Sequence, residues 1–186
     1  KYPPQVTVMI DFTGSNGDPW TQSSLHYDNP NDPNSATKNR YMTAIGKFSD
    51  IFTRLSSNIP RVFGFGYESG KSHARGFQRE SVDYTTNLVK KYYTDRNRTV
   101  DNGSGFVLNC YQEVLKELSN KTSSLSGPTY YSAAVESFKK LCFETNHEIV
   151  LIFTDGRPDD AKEFTESIQK LPKNTSVVVV HVNGEF

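Results

Sequence analysis

At 186 residues, with lysine plus arginine equal to aspartate plus glutamate at 21 each, the chain is sized for one domain with a substantial core. It carries no basic excess that would point to nucleic acid. No apolar stretch approaches the ~20 residues of a membrane span, and no signal-peptide pattern opens the chain. The first residues run almost at once into an apolar strand, so residues 1–186 read as a single domain cut from a larger protein.

That strand is Val6-Thr7-Val8-Met9-Ile10. A short, unbroken, mostly β-branched run is the pattern of a parallel strand buried on both faces. It ends in Asp11-Phe12-Thr13-Gly14-Ser15, which places three oxygen-bearing side chains at alternate positions just past its carboxyl end. Ligands of open α/β sheets bind in that region. A long polar segment follows, to about Thr37, broken by Asn29-Pro30 and Asp32-Pro33 and anchored only at Ser24-Leu25-His26-Tyr27. From Lys38, apolar residues Tyr41, Ile45, Phe48, Phe52 and Leu55 recur at helical spacing, predicting an amphipathic helix that ends near Asn58.

Arg61–Tyr67 reads as a short strand whose glycines mark a bend or the close approach of another backbone. Residues 68–87 read as irregular, and Leu88–Tyr93 as an edge strand protected by lysines. Asp101 is a suitable N-cap for a helix with Val107, Cys110, Val114 and Leu118 on one face. The Ser/Gly-rich segment 120–127 interrupts the pattern. Gly127-Pro128-Thr129 then opens a helix with Tyr130, Ala134, Phe138 and Leu141 inward.

Glu148–Phe153 repeats the opening theme and ends in Thr154-Asp155-Gly156. Asp159-Asp160 are placed to cap a helix bearing Ala161, Phe164, Ile168 and Leu171 on one face. An apolar strand, Ser176–Val182, reads as buried and closes the chain without the helix expected to cover it. Strands alternating with helices define a doubly wound, mainly parallel α/β sheet covered on both faces. Cys110 and Cys142 have no C-x-x-C spacing and read as reduced core thiols of an intracellular protein. The sequons at Asn97, Asn102, Asn120 and Asn174 weigh little against that in a chain so rich in Asn, Ser and Thr.

Asp11, Thr13, Ser15, Thr129 and Asp155 supply only oxygen ligands, and none of the four histidines shows ligand spacing. Hydroxyls with one or two carboxylates suit Mg²⁺; Mn²⁺ and Ca²⁺ accept the same set. Asp11-x-Thr13-x-Ser15, a lone Thr129 and Thr154-Asp155-Gly156 together resemble the metal-ion-dependent adhesion site of von Willebrand factor A domains. Ile10–Pro19, Ser24-Leu25-His26-Tyr27, Phe63-Gly64-Phe65-Gly66 and Gly127-Pro128-Thr129 resemble, in order, phrases of the copine subgroup, shared in part with plant copine-like RING ubiquitin ligases.

The resemblance implies that Thr13 and Ser15 offer hydroxyls directly to the ion and that Thr129 joins directly or through water. It also implies that Asp11 and Asp155 act largely through water. The implied ligand is a protein whose acidic side chain fills a remaining metal position. Copines bind phospholipid through calcium-dependent C2 domains that this chain does not contain, so membrane contact, if any, would come through them. A cytoplasmic, monomeric, non-enzymatic adaptor domain is expected. The alternative is a Mg²⁺-dependent phosphatase or phosphotransferase of haloacid dehalogenase type with Asp11 as nucleophile. Phe12 and Thr13 stand where that chemistry needs a lysine or a second acid.

Overall fold

The computed structural model describes residues 3–48, 51, 54–55, 60–69, 82–83, 104–120, 123–125, 128–139 and 147–183. Its elements in chain order are β1 (Gln5–Asp11), α1 (Ser35–Lys38), α2 (Arg40–Lys47), β2 (Arg61–Phe65), β3 (Tyr67–Ser69) and β4 (Val82–Asp83). They continue as α3 (Ser104–Ser119), β5 (Ser123–Leu125), α4 (Tyr131–Lys139), β6 (Glu148–Thr154), α5 (Ala161–Gln169) and β7 (Thr175–His181). A 3-10 turn, Gly14–Asn16, follows β1.

The main sheet has strand order β4-β2-β1-β6-β7. Strands β2, β1, β6 and β7 are mutually parallel, and the two-residue β4 is antiparallel to β2. As the period of two requires, β1 sends Val6, Val8 and Ile10 to one face and Met9 to the other. The first face packs on α2 and α3 through Tyr41, Ile45, Val107, Cys110, Tyr111 and Val114. The second packs on α4 through Tyr131, Ala134 and Phe138, with Phe164 and Leu171 of the α5 region at its margin. This is the doubly wound, mainly parallel α/β sheet expected from the alternation of elements. Each fully buried Val, Ile or Phe in it contributes roughly 1.5–3 kcal/mol over the exposed state.

The strand order fixes where a site can form. From β1 the chain crosses to β2 on one side, whereas β6 lies on the other, so the connections diverge above β1 and β6. A crevice opens at the carboxyl ends of those two strands. Register puts Asp11 opposite Phe65 of β2, and Ile10 opposite Phe153 of β6. Asp11 and the Thr154-Asp155 pair therefore end adjacent strands at one level.

Several local expectations are corrected. The helix predicted from Lys38 is interrupted at Asn39, whose backbone is extended and whose side chain accepts a hydrogen bond from Met42 N to cap α2. Most of its predicted second half lies outside the described residues. The strand predicted over Arg61–Tyr67 stops at Phe65, because Gly66 turns the chain with φ 79°. The chain then enters a separate antiparallel ladder with β5, Tyr67 facing Leu125, so the Ser-rich segment 120–127 contains a strand.

In α4 the inward residue is Tyr131, not the half-buried Tyr130. In α5, Ala161 is exposed while Phe164, Ile168 and Leu171 are half-buried. The valine run of β7 predicts a buried strand, yet among the described residues β7 pairs only with β6, and Val178 and Val179 are each 43% exposed. A strand with one neighbour loses the flanking side chains that would otherwise cover it. The proposed edge strand Leu88–Tyr93, the cap Asp101, Leu141 and Cys142 lie outside the described residues. Cys110 is buried in the first core face.

Candidate metal centre

Asp11 ends β1 fully buried, and both of its carboxylate oxygens are engaged. Oδ1 accepts from Thr13 N at 2.8 Å and from Thr13 Oγ1 at 2.7 Å; Oδ2 accepts from Thr154 Oγ1 at 2.7 Å. Thr13 Oγ1 lies 3.1 Å from Ser15 Oγ, and Ser15 Oγ donates to Asp155 Oδ1 at 3.3 Å. From the loop before α4, Thr129 Oγ1 donates to Thr13 Oγ1 at 3.1 Å. All five side chains singled out in the sequence thus form one connected cluster. Asp11 and Thr13 lie at its floor, Ser15 is exposed, and Asp155 is half-buried at the mouth.

The electrostatics of this cluster invite a cation. Burial pushes the Asp11 carboxyl up to about 6; hydrogen bonds from Thr13 and Thr154 pull it down, and the nearby Asp155 charge pushes it up. Among the described residues no lysine or arginine pairs with either carboxylate. No group of three or more His, Cys, Asp or Glu able to hold a metal occurs among them either. The donor set is therefore mixed hydroxyl and carboxylate oxygen, which fits a hard divalent ion and does not fit zinc or copper.

A second tier of residues holds the loop in place, and most of it is not legible as site machinery from sequence. Asn16 ends the 3-10 turn. Its Nδ2 donates to Thr13 O at 3.1 Å, and its Oδ1 accepts from Tyr41 OH at 2.7 Å. His26, fully buried, is stacked between Phe12 and Tyr41 with ring centroids 4.9 and 4.1 Å away. Its Nε2 faces Asp11 O at 2.9 Å, an atom that can only accept, so Nε2 carries the proton; Nδ1 lies 2.8 Å from Tyr111 OH, whose one proton is divided between that nitrogen and Asn39 Oδ1 at 3.1 Å. Burial pushes this ring down to about 3, so it is neutral at physiological pH. The apolar anchor at Ser24–Tyr27 was the signal that this polar loop is fastened down.

On the other side of the cluster, Tyr131 OH contacts Thr154 Oγ1 and donates to Gly156 O at 2.7 Å, which ties α4 to the end of β6. The expectation that Asp159 and Asp160 cap the following helix is corrected. Asp160 is the residue before α5 but makes no side-chain cap to it. Instead its carboxylate accepts from Tyr131 N at 3.0 Å, Ser132 N at 2.9 Å and the Ser132 hydroxyl. Asp159 Oδ2 accepts from Thr129 N at 2.8 Å, and Asp159 N donates to Thr129 O at 2.9 Å. Both acids serve N–H groups at the start of α4 that have no intrahelical partner, where donors and dipole favour negative charge. Thr129 is thereby held against the Asp11–Ser15 loop.

Gly66 completes the packing. A Cβ built there would stand 2.8 Å from Thr13 N and 3.0 Å from Thr13 Cα, closer still to the methyl of Thr13, and its φ of +79° disfavours any other residue. The glycines of Phe63–Gly66 thus include one that permits the close approach of the Asp11–Ser15 loop.

A four-stranded parallel sheet wound on both faces, with an oxygen-lined crevice at its topological switch point, is the architecture of a doubly wound α/β domain. The copine family profile matches residues 24–186, and the chain belongs to the copine family. Copine-B of Dictyostelium discoideum is 29% identical over 183 residues, covering 94% of this chain and 29% of that protein. Protein BONZAI 2 of Arabidopsis thaliana is 28% identical over 182 residues, covering 95% of this chain and 28% of its own. The chain therefore spans less than a third of the curated relatives it matches. Among solved structures, the pilus adhesin SpaC of Lactobacillus rhamnosus GG aligns with 85% of this chain and 16% of its own, at TM-score 0.39 and 14% identity.

Proposed function

We propose that this domain is a metal-ion-dependent protein-binding module. It would hold Mg²⁺, or Mn²⁺ or Ca²⁺, at Asp11, Thr13, Ser15, Thr129 and Asp155, and recruit a partner through an acidic side chain. The observation that carries this reading is the convergence of three hydroxyls and two carboxylates at the ends of β1 and β6, with no described basic residue to neutralise them. Thr13, Ser15 and Thr129 would contribute hydroxyl oxygen. Asp11 would orient Thr13 while supplying negative charge from beneath, and Asp155 would do the same for Ser15 at the mouth. A bound divalent ion supplies a Lewis-acidic point that a partner's carboxylate can occupy. Neutral hydroxyls leave such an ion more electrophilic than a cage of acids would.

The polar segment after Ser15 supports an accessible site, since Ser24, His26 and Tyr27 are tucked into the fold and Ser15 remains exposed. Aspartyl phosphate chemistry is less well supported. A nucleophilic carboxylate needs an oxygen facing substrate, and Asp11 is buried with both oxygens accepting hydrogen bonds. In the longer parent we place calcium-dependent phospholipid binding in other domains, and this one in the cytoplasm as the partner-recruiting element.

The test is thermal. At a hundredfold excess over its Kd, Mn²⁺ should stabilise the domain by about 2.7 kcal/mol, or roughly 5–11 °C in Tm for a domain of this size. Thr129→Ala and Asp155→Ala should blunt that response. A Tm unmoved by millimolar Mn²⁺ in the parent protein refutes the proposal.

A further inference from the structure

An open cleft of about 850 Å³ adjoins the candidate metal centre, with Ser15 and Asp155 at one end. Taking about 30 Å³ per water, it has room for roughly 28 waters. The few atoms of one metal-bound carboxylate would leave most of it empty, so the cleft is sized for a segment of chain rather than a single side chain. Its walls are hydrophilic, including Gln22, Thr43 and Asn183, which suits a polar peptide better than an apolar helix.

Two cations line it, and they differ. Lys38 is already held by Asp32 at 2.7 Å. Arg40 is exposed at the start of α2, and no acidic partner for it occurs among the described residues. A guanidinium is a rigid fork suited to bidentate recognition of a carboxylate. Outside the cleft lining but in the same loop, between Gly17 and Gln22, the chain's one tryptophan, Trp20, is half-exposed to solvent. Exposed Trp and Arg are the residue types in which interface energy concentrates.

We infer that the partner is an acidic peptide segment carrying at least two carboxylates, one for the metal and a second, a few residues away, for Arg40 in the cleft. This rests on the metal-dependent reading above and adds the sequence preference of the partner. Electrostatic complementarity of this kind selects partners more than it raises affinity, because a like charge in the same place is strongly excluded.

The probe is a phage-displayed library of short random peptides with one fixed glutamate, selected on the domain with Mn²⁺ and with chelator. The parent protein should enrich a second Asp or Glu on one side of the fixed glutamate, in Mn²⁺ only. Arg40→Glu should replace that second acid with Lys or Arg, still requiring Mn²⁺ and the fixed glutamate, and should weaken parent-selected peptides at least about tenfold. Thr43→Glu, which places a negative charge in the same cleft and leaves Arg40 intact, should likewise remove the acidic preference. It guards against a folding defect in the first variant, and Tm with and without Mn²⁺ checks both.

If the parent enriches no second acid, if Arg40→Glu and Thr43→Glu keep the parent's preference, or if no peptide is recovered in Mn²⁺, the inference is overturned. An unmoved Tm in Mn²⁺, or peptides recovered equally in chelator, overturns the metal reading and this inference with it.

Discussion

Thr154→Val is the sharpest probe of how the site is built, because it removes one hydroxyl and changes almost no volume. Thr154 Oγ1 gives Asp11 Oδ2 its hydrogen bond at 2.7 Å, at a position with no solvent to replace it. A hydrogen bond to a charged group contributes about 1.5–3 kcal/mol, and an unsatisfied buried acceptor forfeits all of it. Tyr131 OH retains Gly156 O, so its own loss is small. We expect about 2 kcal/mol of destabilisation at pH 8 in chelator, or roughly 4–8 °C in Tm.

The sign of the pH dependence follows from Asp11. Its folded carboxyl titrates at about 6 and its ordinary value is 3.8. Removing a donor that favours the charged form raises the folded value further. The destabilisation is therefore full above that raised value, fades as pH falls from it to about 6, and is largely gone below about 6, where the folded carboxyl is protonated in both proteins. Denaturant unfolding of parent and variant at pH 8 and pH 5 measures both ends. A loss at pH 8 below about 0.5 kcal/mol, or an equal loss at the two pH values, rules out the Thr154 hydroxyl as a support of charged Asp11; the lower bound is the ordinary scatter of neutral substitutions.

Three further outcomes follow from the same network. Gly66→Ala drives a methyl group into Thr13 at a φ of +79°, so it should cost more than about 1 kcal/mol and also shrink the Mn²⁺-induced rise in Tm. An undiminished metal response in a folded variant contradicts the role given to that close approach. Asp160→Ala removes the acceptor for Tyr131 N and Ser132 N, costing about 1–2 kcal/mol, and should speed amide exchange at those two residues while leaving β1 protected; unchanged exchange there rules the cap out. His26 is held at about 3 in the fold against an ordinary 6.5, so the unfolded chain takes up its proton first and the His26 contribution rises with pH by up to about 1.4 kcal/mol per unit between those values. Asp11 acts oppositely between 3.8 and about 6, being the more protonated when folded. The two slopes offset in the parent protein, and His26→Gln should expose the Asp11 slope, its stability relative to the parent falling steadily from pH 4 to pH 6. A constant difference over that range excludes the assignment.

Much of this protein is written in its local sequence. Uninterrupted apolar runs at Val6–Ile10 and Ile149–Phe153 can only be satisfied in strands covered on both faces, which dictates helices on both sides of a parallel sheet. Because ligands gather beyond the carboxyl ends of such strands, Asp11, Thr13, Ser15 and Asp155 were legible as candidates for one cluster, and the loop opening α4 added Thr129.

What tertiary structure alone decided were matters of partner and side. Asp159 and Asp160 look like caps of their own helix, but the nearest unpaired N–H groups in space belong to α4. His26 lies fifteen residues from Asp11, within a loop that lacks periodicity, so nothing local shows that its ring supports the Asp11 carbonyl. The valines of β7 specify a strand with equal force whether it is central or at the edge, because β propensity records fit to a pleat and not the number of neighbours. Strand order, set by which helices cross which face, makes that choice, and it also brings β1 and β6 together so that two distant carboxylates meet.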